Sequence, residues 1–216
     1  MFTGIIEEIG TIQTIKQQGN SLVLVIHAEQ ILVDCKLGDS ISVNGVCLTI
    51  TEYNKESFCA DVMPETFYHT SLSHLQQGSF VNLERAVSSN GRFGGHFVTG
   101  HVDTVGEIVK RKAIENAIQI DIQYSNQFHH FALYRGSIAL DGTSLTITGM
   151  TNNQITVSII PHTAKESVLG AKRVGEKVNI EFDLIGKYLY SFLEGKQKNK
   201  QTEHLSMDFL KETGFI

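Results

Sequence analysis

The feature that most constrains this chain is an internal repeat. The segment Ser40–Thr51 reads SISVNGVCLTIT and returns as SIALDGTSLTIT at Ser137–Thr148. The offset of 97 holds without a gap over residues 40–84, where 14 of 45 pairs are identical, against about three expected from average amino-acid usage. Both prolines of the chain, Pro64 and Pro161, form one of these pairs. The chain is therefore two copies of one module.

The beginning of the chain joins the same pattern with an offset of 96. Thr3 and Gly4 match Thr99 and Gly100, so one insertion or deletion separates the two blocks. Residues 88–95 are rich in serine and glycine, which is typical of a connector. We expect a first domain over residues 1–96, a second over residues 97–186 and a C-terminal helical segment over residues 187–216.

Each copy has the pattern of short strands joined by tight turns. Ile118–Ile122 alternates apolar and polar residues, as a half-buried strand does. Asn44–Gly45 and Asp141–Gly142 are turn signals typical of β-hairpins. About six strands fit each copy, with one helical turn near Thr70–Leu75 or Lys165–Gly170. The predicted fold is all-β, with two tandem six-stranded Greek-key barrels and a C-terminal α-helix.

The pattern changes after Asp183. Leu184–Leu193 is apolar at helical spacing, Gly195–Thr202 reads as a polar, basic linker, and His204–Glu212 has a second apolar helical stripe. A short terminal helix of this kind either binds a partner subunit or packs on its own domain. We expect this segment to hold subunits of the protein together.

The composition excludes several classes of protein. Lys and Arg total 18 and Asp and Glu total 23, a formal charge of -5, which argues against binding to nucleic acid or to an anionic membrane. No apolar run approaches the roughly 20 residues of a membrane span. The three cysteines lie twelve residues apart with no CxxC pair, so neither a zinc site nor a redox centre is indicated. We expect a cytoplasmic protein.

The hairpin of each copy carries candidate functional groups. Cys47 and Ser144 are equivalent, and Thr49 and Thr146 follow each of them by two residues. Strand alternation places Cys47 and Thr49 on one face. A row of thiol and hydroxyl groups inside a barrel mouth would bind a polar heterocycle. The alternative is that Cys47 is only a small buried apolar residue.

Histidines supply candidates for proton transfer. His96 and His101 bracket one run, and His101 replaces Ile5 of the first copy, the kind of difference that an asymmetric active site needs. Arg135 precedes the Ser137 strand, where it would neutralise an anionic ring or remain an ordinary surface charge.

Several motifs together resemble one known family. They are MFTGIIE at residues 1–7, SVNGVCLT at 42–49, GGHFVTGHVD at 94–103, DGTSLT at 141–146, IIPHT at 159–163 and DLIGKY at 183–188. With these motifs, residues 1–193 resemble the riboflavin synthases of the alpha-chain type. The resemblance implies two lumazine-binding barrels, a homotrimer and catalysis without a metal or redox cofactor.

The implied reaction is the last step of riboflavin biosynthesis. One molecule of 6,7-dimethyl-8-ribityllumazine donates a four-carbon unit to a second, and the products are riboflavin and 5-amino-6-(D-ribitylamino)uracil. Two copies of one substrate need two similar sockets, which fits a duplicated chain. An association with lumazine synthase is a further possible partnership.

The resemblance also implies which residues line the sockets. The first socket has Gly4, Ile5, Ile6, Cys47, Leu48, Thr49, Asp61, Val62, Met63, Pro64, Glu65 and Thr66. The second has Gly100, His101, Val102, Arg135, Ser144, Leu145, Thr146, Ser158, Ile159, Ile160, Pro161, His162 and Thr163. For acid–base work the candidates are His101, Ser144 and Thr146, with Cys47 and Ser40 on the opposing barrel, while Asp141 and Asp183 orient these groups or contact substrate. The family often has lysine at the position of Arg135, and arginine titrates too weakly for proton transfer.

Two other functions compete with this prediction. A non-catalytic lumazine- or flavin-binding antenna protein would have the same duplicated barrels, but we expect it to lack the full GGHFVTGHVD run. A generic barrel that binds flavin or nucleic acid shares the fold. The acidic balance disfavours the nucleic-acid version.

Overall fold

The computed structural model describes residues 1–18, 21–202 and 211, and each copy of the repeat forms a closed barrel of six antiparallel strands. The first barrel consists of β1 Glu8–Gln18, β2 Ser21–His27, β3 Ser40–Val43, β4 Val46–Tyr53, β5 Ser57–Val62 and β6 Phe80–Arg85. The second consists of β7 Thr104–Ile114, β8 Ala117–Gln123, β9 Ser137–Leu140, β10 Thr143–Thr151, β11 Gln154–Ile159 and β12 Lys177–Phe182. The predicted fold class is confirmed.

Both barrels have the same Greek-key strand order. In the first it is β1-β2-β5-β4-β3-β6, and the second repeats it with its own six strands. The ladder register shifts after Ile12 and Ile50, and again after their equivalents Ile108 and Ile147. These four isoleucines are buried. A bulge bends a strand, so the shared shifts give both barrels the same curvature around an apolar core.

A short helix follows the proline of each copy. These helices are α1 Pro64–Tyr68 and α2 Pro161–Glu166, each with proline in its first turn, where its missing N–H costs nothing. One 3-10 turn comes after each of them, at Ser71–His74 and Val168–Gly170. The predicted helical turns lie at these 3-10 turns, but the sequence analysis placed no helix at the prolines.

The two barrels meet through their N-terminal segments, here called the lead-ins, residues 1–6 and 97–102. Phe2 and Val98 pair in antiparallel fashion, with Phe2 N donating to Val98 O at 2.7 Å. Both side chains are fully buried, together with Ala139. Each lead-in therefore lies in the interface between the two barrels.

A buried polar network joins the barrels on another side of this interface. Asn82 Nδ2 donates to Asp141 O at 2.8 Å, and Asn179 Nδ2 donates to Asn44 O at 2.8 Å. Lys172 Nζ lies 2.9 Å from Asp141 Oδ2. Because buried polar groups need partners, this network fixes the relative position of the barrels.

The last described element is α3 Leu184–Thr202. The helix predicted over Leu184–Leu193 is present, but the linker predicted over Gly195–Thr202 is wrong, since α3 continues through it. Apart from Lys211, the second stripe lies outside the described residues. Lysine and glutamine are good helix formers, so a polar, basic composition does not by itself end a helix. Among the described residues, no helix combines the length and apolar character needed to cross a bilayer.

Candidate functional site

Each lead-in contacts the hairpin of the opposite barrel. Ser144 N donates to Gly4 O at 2.8 Å, and Cys47 N donates to Gly100 O at 2.9 Å. The contacts are close, because a Cβ on Gly4 would lie 2.6 Å from Ser144 Cβ and one on Gly100 would lie 2.5 Å from Cys47 Cβ. The predicted grouping of Gly4 with Cys47 and of Gly100 with Ser144 is therefore wrong. Each lead-in lies beside the opposite hairpin because Phe2 and Val98 pair across the interface.

Two buried carboxylates hold the lead-ins in place. Glu84 accepts hydrogen bonds from Thr3 N at 2.7 Å, Thr3 Oγ1 at 2.8 Å and Gly4 N at 3.0 Å. Glu181 accepts the equivalent bonds from Thr99 and Gly100. Burial raises the pKa of both carboxyls, and the hydrogen bonds oppose that rise. Glu84 and Glu181 were missed as site residues, although the repeated VNLE and VNIE motifs pointed to them.

An opening next to each hairpin defines a socket. β4 pairs with β5 only from Ile50 onward, and β10 pairs with β11 only from Ile147 onward. The first residues of β4 are therefore not paired with the last residues of β5. The same holds for β10 and β11. Backbone N–H and C=O groups at such an edge take their hydrogen-bond partners from elsewhere than the neighbouring strand.

We define the sockets by these contacts. The first socket comprises the lead-in Gly100–Val102, the hairpin residues Cys47–Thr49 and the run Asp61–Thr66. The second comprises the lead-in Gly4–Ile6, the hairpin residues Ser144–Thr146, the run Ser158–Thr163 and Arg135. The contacts place each lead-in beside the opposite hairpin, and the grouping of the hairpin residues with the two runs stays a prediction.

The candidate thiol and hydroxyl groups face away from the barrel interiors. Leu48 is 4% exposed and Ile50 is 1% exposed, and both belong to the first core. Cys47 is half-buried and Thr49 is exposed on the opposite face. The expectation that the thiol and hydroxyl groups line the inside of a barrel mouth is therefore wrong. They point outward, because apolar side chains fill a barrel of this size. The alternation of the hairpin was predicted correctly, and Cys47 is not one of the fully buried core residues.

The runs that follow the hairpins have a mixed exposure. Val62 and Ile159 are buried, with 1% exposure each, and point into the cores. Met63 and Ile160, at the start of α1 and α2, are 67% and 56% exposed. The other residues are exposed or half-buried; they are Asp61, Pro64, Glu65, Thr66, Ser158, Pro161, His162 and Thr163. Each run thus gives its socket an exposed apolar residue beside polar groups.

Arg135 has an unusual backbone conformation for a residue with a side chain. Its φ is 65°, and its equivalent in the first copy, Gly38, has a φ of 89°. Both amides donate to the paired strand at 2.9 Å, to Ile147 O and Ile50 O respectively. A non-glycine residue in this region stores strain, which is typical of functional positions. The exposed Arg135 guanidinium lies 5.4 Å from the centre of the Tyr134 ring.

The two histidines of the connecting run differ in environment. His101 is exposed on the second lead-in, and its amide donates to Thr99 Oγ1 at 3.2 Å. His96 is only 8% exposed, and its Nδ1 lies 2.7 Å from Ser144 Oγ. Asp183 accepts a hydrogen bond from Ile185 N at 3.0 Å, and its charge acts on His96. The contact with Ser144 therefore adds His96 to the second socket, and comparison of the two copies gave no signal for this contact between residues 48 positions apart.

Asp141 and Ser40 lie outside the two hairpin openings. Asp141 has no exposed surface and is held between Asn179 N, which donates to Oδ1 at 2.8 Å, and Lys172. Ser40 is opposite Thr49 in the β3–β4 ladder. It lines a cleft of about 540 Å³ that Ile5 also lines. The roles suggested for Asp141 and Ser40 stay predictions.

The described residues contain no group of three His, Cys, Asp or Glu side chains close enough to hold a metal ion. The side chains of the residues that define the two sockets offer hydroxyls, a thiol, imidazoles, carboxylates and the Arg135 guanidinium.

Comparison with known proteins identifies relatives over the whole chain. The model of the lumazine binding domain family matches twice, at residues 3–86 and 99–183. The chain is 50% identical to riboflavin synthase of Bacillus subtilis (strain 168) over 215 residues, with 100% of both chains covered. It is 48% identical to riboflavin synthase of Actinobacillus pleuropneumoniae over 215 residues, again with 100% of both covered.

Solved structures share the fold. LumP complexed with riboflavin superposes with a TM-score of 0.78 at 22% identity, covering 84% of this chain and 99% of that one. LumP complexed with 6,7-dimethyl-8-(1'-D-ribityl) lumazine gives a TM-score of 0.75 at 22% identity with the same coverage. At this identity the likeness concerns the arrangement of the two barrels.

Proposed function

Because the chain belongs to the riboflavin synthase family, we propose that it converts two molecules of 6,7-dimethyl-8-ribityllumazine into riboflavin and 5-amino-6-(D-ribitylamino)uracil. The observation that carries this proposal is the pair of equivalent sockets. A dismutation requires two copies of the same molecule to be held at once, and the exchanged lead-ins build two similar binding surfaces in one chain.

The two sockets differ where the reaction needs a difference. One lumazine, the acceptor, loses a proton from its C7 methyl group, whose acidity comes from delocalisation into the ring. The other, the donor, is attacked at C7 by a nucleophile. The first socket offers Cys47 and His101, and the second offers Ser144, Thr146 and Arg135. Holding two rings in a reactive geometry supplies much of the acceleration.

The sockets are open surfaces in a single chain, which supports an oligomeric active site. We propose a homotrimer in which the first socket of one chain faces the second socket of its neighbour. An exposed apolar stripe on α3 supports this assembly. Its members are Ile185, Tyr188, Leu189 and Leu193, which are between 54% and 70% exposed. An association with lumazine synthase and a cytoplasmic location stay predictions.

The test is an assay of stoichiometry. The purified chain, stripped of bound ligand, is mixed with 6,7-dimethyl-8-ribityllumazine in buffer that contains a chelator, and the products are separated by chromatography. We expect one riboflavin for every two lumazines consumed. Tight binding without riboflavin would overturn the proposal and favour the antenna function.

Two variants test whether the first socket takes part in the reaction. His101→Ala and Cys47→Ser both change the first socket, whereas Tyr53→Phe changes an exposed residue at the far end of β4 and serves as a control. We expect both first-socket variants to lose at least tenfold in turnover, and the control to keep wild-type turnover. Equal activity in all three would remove the first socket from the mechanism.

A further inference from the structure

His96 is the only described residue of the second socket that is buried, ionisable and in contact with a hydroxyl of that socket. Its backbone N donates to Thr3 O at 3.0 Å, which ties the connector to the first lead-in. Its Nδ1 lies 2.7 Å from Ser144 Oγ. Ser144 itself is half-buried and belongs to the hairpin opening. The imidazole is therefore held behind Ser144, on the side away from solvent.

The other ring nitrogen has no partner. Among the described residues, no group hydrogen-bonds to His96 Nε2, which is buried. Leaving such a polar atom unpaired costs about 1–3 kcal/mol. A side chain whose only task was to hold Ser144 in place would avoid that cost by carrying a single hydrogen-bonding group, as the threonine hydroxyl does. The unpaired nitrogen therefore argues that the imidazole ring itself is needed.

The first socket has a different residue at the position equivalent to Ser144. Cys47 stands there in place of Ser144. A thiol ionises near pH 8.5 and is a nucleophile without help, but a hydroxyl needs an adjacent base. The histidine thus accompanies the copy that has the hydroxyl.

We propose that His96 is the general base that activates Ser144, and that Ser144 is the nucleophile that adds to the donor lumazine. This inference rests on the proposed function, because it names how the second socket carries out its half of that reaction. It also assigns the donor to the second socket and the acceptor to the first.

The proposed step is balanced without an outside reagent. As the bond between Ser144 Oγ and C7 forms, the Oγ–H bond breaks and its proton passes to the lone pair of His96 Nδ1. The π-electron pair of the C7 double bond moves into the conjugated ring. In the elimination that releases the serine, the Oγ–C7 bond breaks and its electron pair goes to Oγ, the ring electrons restore the C7 double bond, and Nδ1 returns the proton to Oγ.

The electrostatic surroundings of His96 suit this cycle. Burial lowers the pKa of His96, so the free ring is neutral and able to accept a proton, and the Asp183 carboxylate opposes that shift. Asp183, which precedes α3, is the charged group that acts on the ring from the packed elements. It would stabilise the imidazolium that forms during the step. In this account Asp183 is a positioning residue that acts through His96.

The main test is His96→Gln, which can still hydrogen-bond to Ser144 but cannot take a proton. We expect turnover to fall about 100-fold or more, while the dissociation constant for 6,7-dimethyl-8-ribityllumazine stays within about twofold. The acid limb of the wild-type pH profile, which lies below the usual histidine pKa of about 6.5, should disappear. Turnover within twofold of wild type, an unchanged acid limb, or lost lumazine binding would each overturn the proposal.

A matched control and a rescue complete the design. His27→Gln changes a histidine whose Nδ1 also lies near an oxygen, Glu56 O at 2.6 Å, but which is outside both sockets, and it should keep wild-type turnover. Adding Ser144→Cys to His96→Gln copies the first socket. Since a thiol needs no base, we expect the double variant to recover at least tenfold over His96→Gln, and no recovery would contradict the proposal.

A spectroscopic measurement separates this inference from the proposed function. Addition at C7 interrupts the conjugation of lumazine, so stopped-flow absorbance should show bleaching on binding to wild type and none with His96→Gln. If the wild-type chain bleaches lumazine but makes no riboflavin, the proposed function is overturned and the role of His96 is not. If wild type and His96→Gln make riboflavin at the same rate, the role of His96 is overturned and the proposed function is not.

Discussion

Single residues distinguish two copies that share one backbone. Arg135 stands where the first copy has Gly38, Ser144 stands where it has Cys47, and His101 stands where it has Ile5. All three differences lie at the sockets, whereas the residues that shape the barrels, such as the paired prolines, are repeated. The two copies thus share one fold, while the differences at Arg135, Ser144 and His101 make the proposed sockets unequal.

The backbone of Arg135 gives the first prediction. Arg135→Gly should raise the free energy of unfolding by about 1 kcal/mol, because it relieves the strain of a positive φ, and it should weaken lumazine binding. Gly38→Arg is the matched control. A Cβ at Gly38 has open space, so the control should be destabilised by about the same amount through φ alone. Urea denaturation measures both, and equal stability of Arg135→Gly and wild type would contradict the strain argument.

The carboxylates that hold the lead-ins give the second prediction. Glu84→Ala leaves Thr3 N–H, its hydroxyl and Gly4 N–H buried without an acceptor, so the free energy of unfolding should fall by about 2–3 kcal/mol. Because Gly4 then loosens, lumazine binding should weaken at the second socket. Glu181→Ala should have the same cost but weaken the first socket. Calorimetric titration that finds the same socket affected by both variants would disprove this assignment.

The same carboxylates predict a pH dependence. Burial raises the pKa of Glu84 from about 4.5, so just above that pH the folded chain binds more protons than the unfolded chain. Stability from this group therefore decreases as pH rises through that window. Glu84→Gln removes the titration, and its stability relative to wild type should improve as pH increases from 4.5. Denaturation curves at several pH values test the sign.

At the scale of elements, α3 has two faces with different contacts. One face packs on the second barrel, where Lys187 Nζ donates to Asp103 Oδ1 at 2.9 Å and the ring of Tyr190 stacks on His130 at 4.0 Å. The other face carries the exposed apolar stripe. Exposed stripes of this kind mark interaction sites, so the helix serves its own barrel and, in our proposal, its neighbours.

This arrangement predicts how the trimer would be broken. Leu189→Glu places a charge in the exposed stripe and should convert the assembly to monomers, with an unchanged midpoint of barrel unfolding. Ser191→Glu adds the same charge to an exposed position outside the stripe and should leave the trimer intact. Sedimentation velocity measures both. An intact trimer in Leu189→Glu, or in a chain truncated after Gly195, would show that α3 does not hold the subunits together.

At the scale of the whole molecule, the interface between the barrels is asymmetric despite the repeat. The buried ion pair of Asp141 and Lys172 belongs to the second copy, and its equivalents in the first copy are Asn44 and Leu75. In both copies the residue that begins the hairpin turn, Asn44 or Asp141, has hydrogen-bond partners. The second copy uses a charge pair where the first uses an amide and an apolar side chain.

The interface therefore predicts a coupled pair of substitutions. Lys172→Leu leaves a buried carboxylate without its partner and should cost about 3–5 kcal/mol of unfolding free energy. Asp141→Asn combined with Lys172→Leu reproduces the first copy and should recover most of that loss. Urea denaturation of both single variants and the double variant completes the cycle. Additive effects would mean that the two side chains do not interact.

Much of this molecule could be predicted from the sequence. The repeat, the turn signals before Gly45 and Gly142, and the period-two alternation are local properties, and each of them predicts strands and barrels directly. The hairpin residues Cys47 and Ser144 were found because the two copies can be compared position by position. The extent of α3 was missed because helix propensity is nearly equal across its apolar and polar parts.

Only the tertiary structure decided how the copies meet. The sequence alone determined two barrels with one strand order and the residues that differ between them, because these follow from short-range pattern and from comparison of the copies. The exchange of Gly4 and Gly100, the clamps at Glu84 and Glu181 and the contact of His96 with Ser144 join residues between 48 and 140 positions apart. The clamps join the two ends of one copy and the other contacts join the two copies, so all of them depend on tertiary packing that no local sequence pattern specifies.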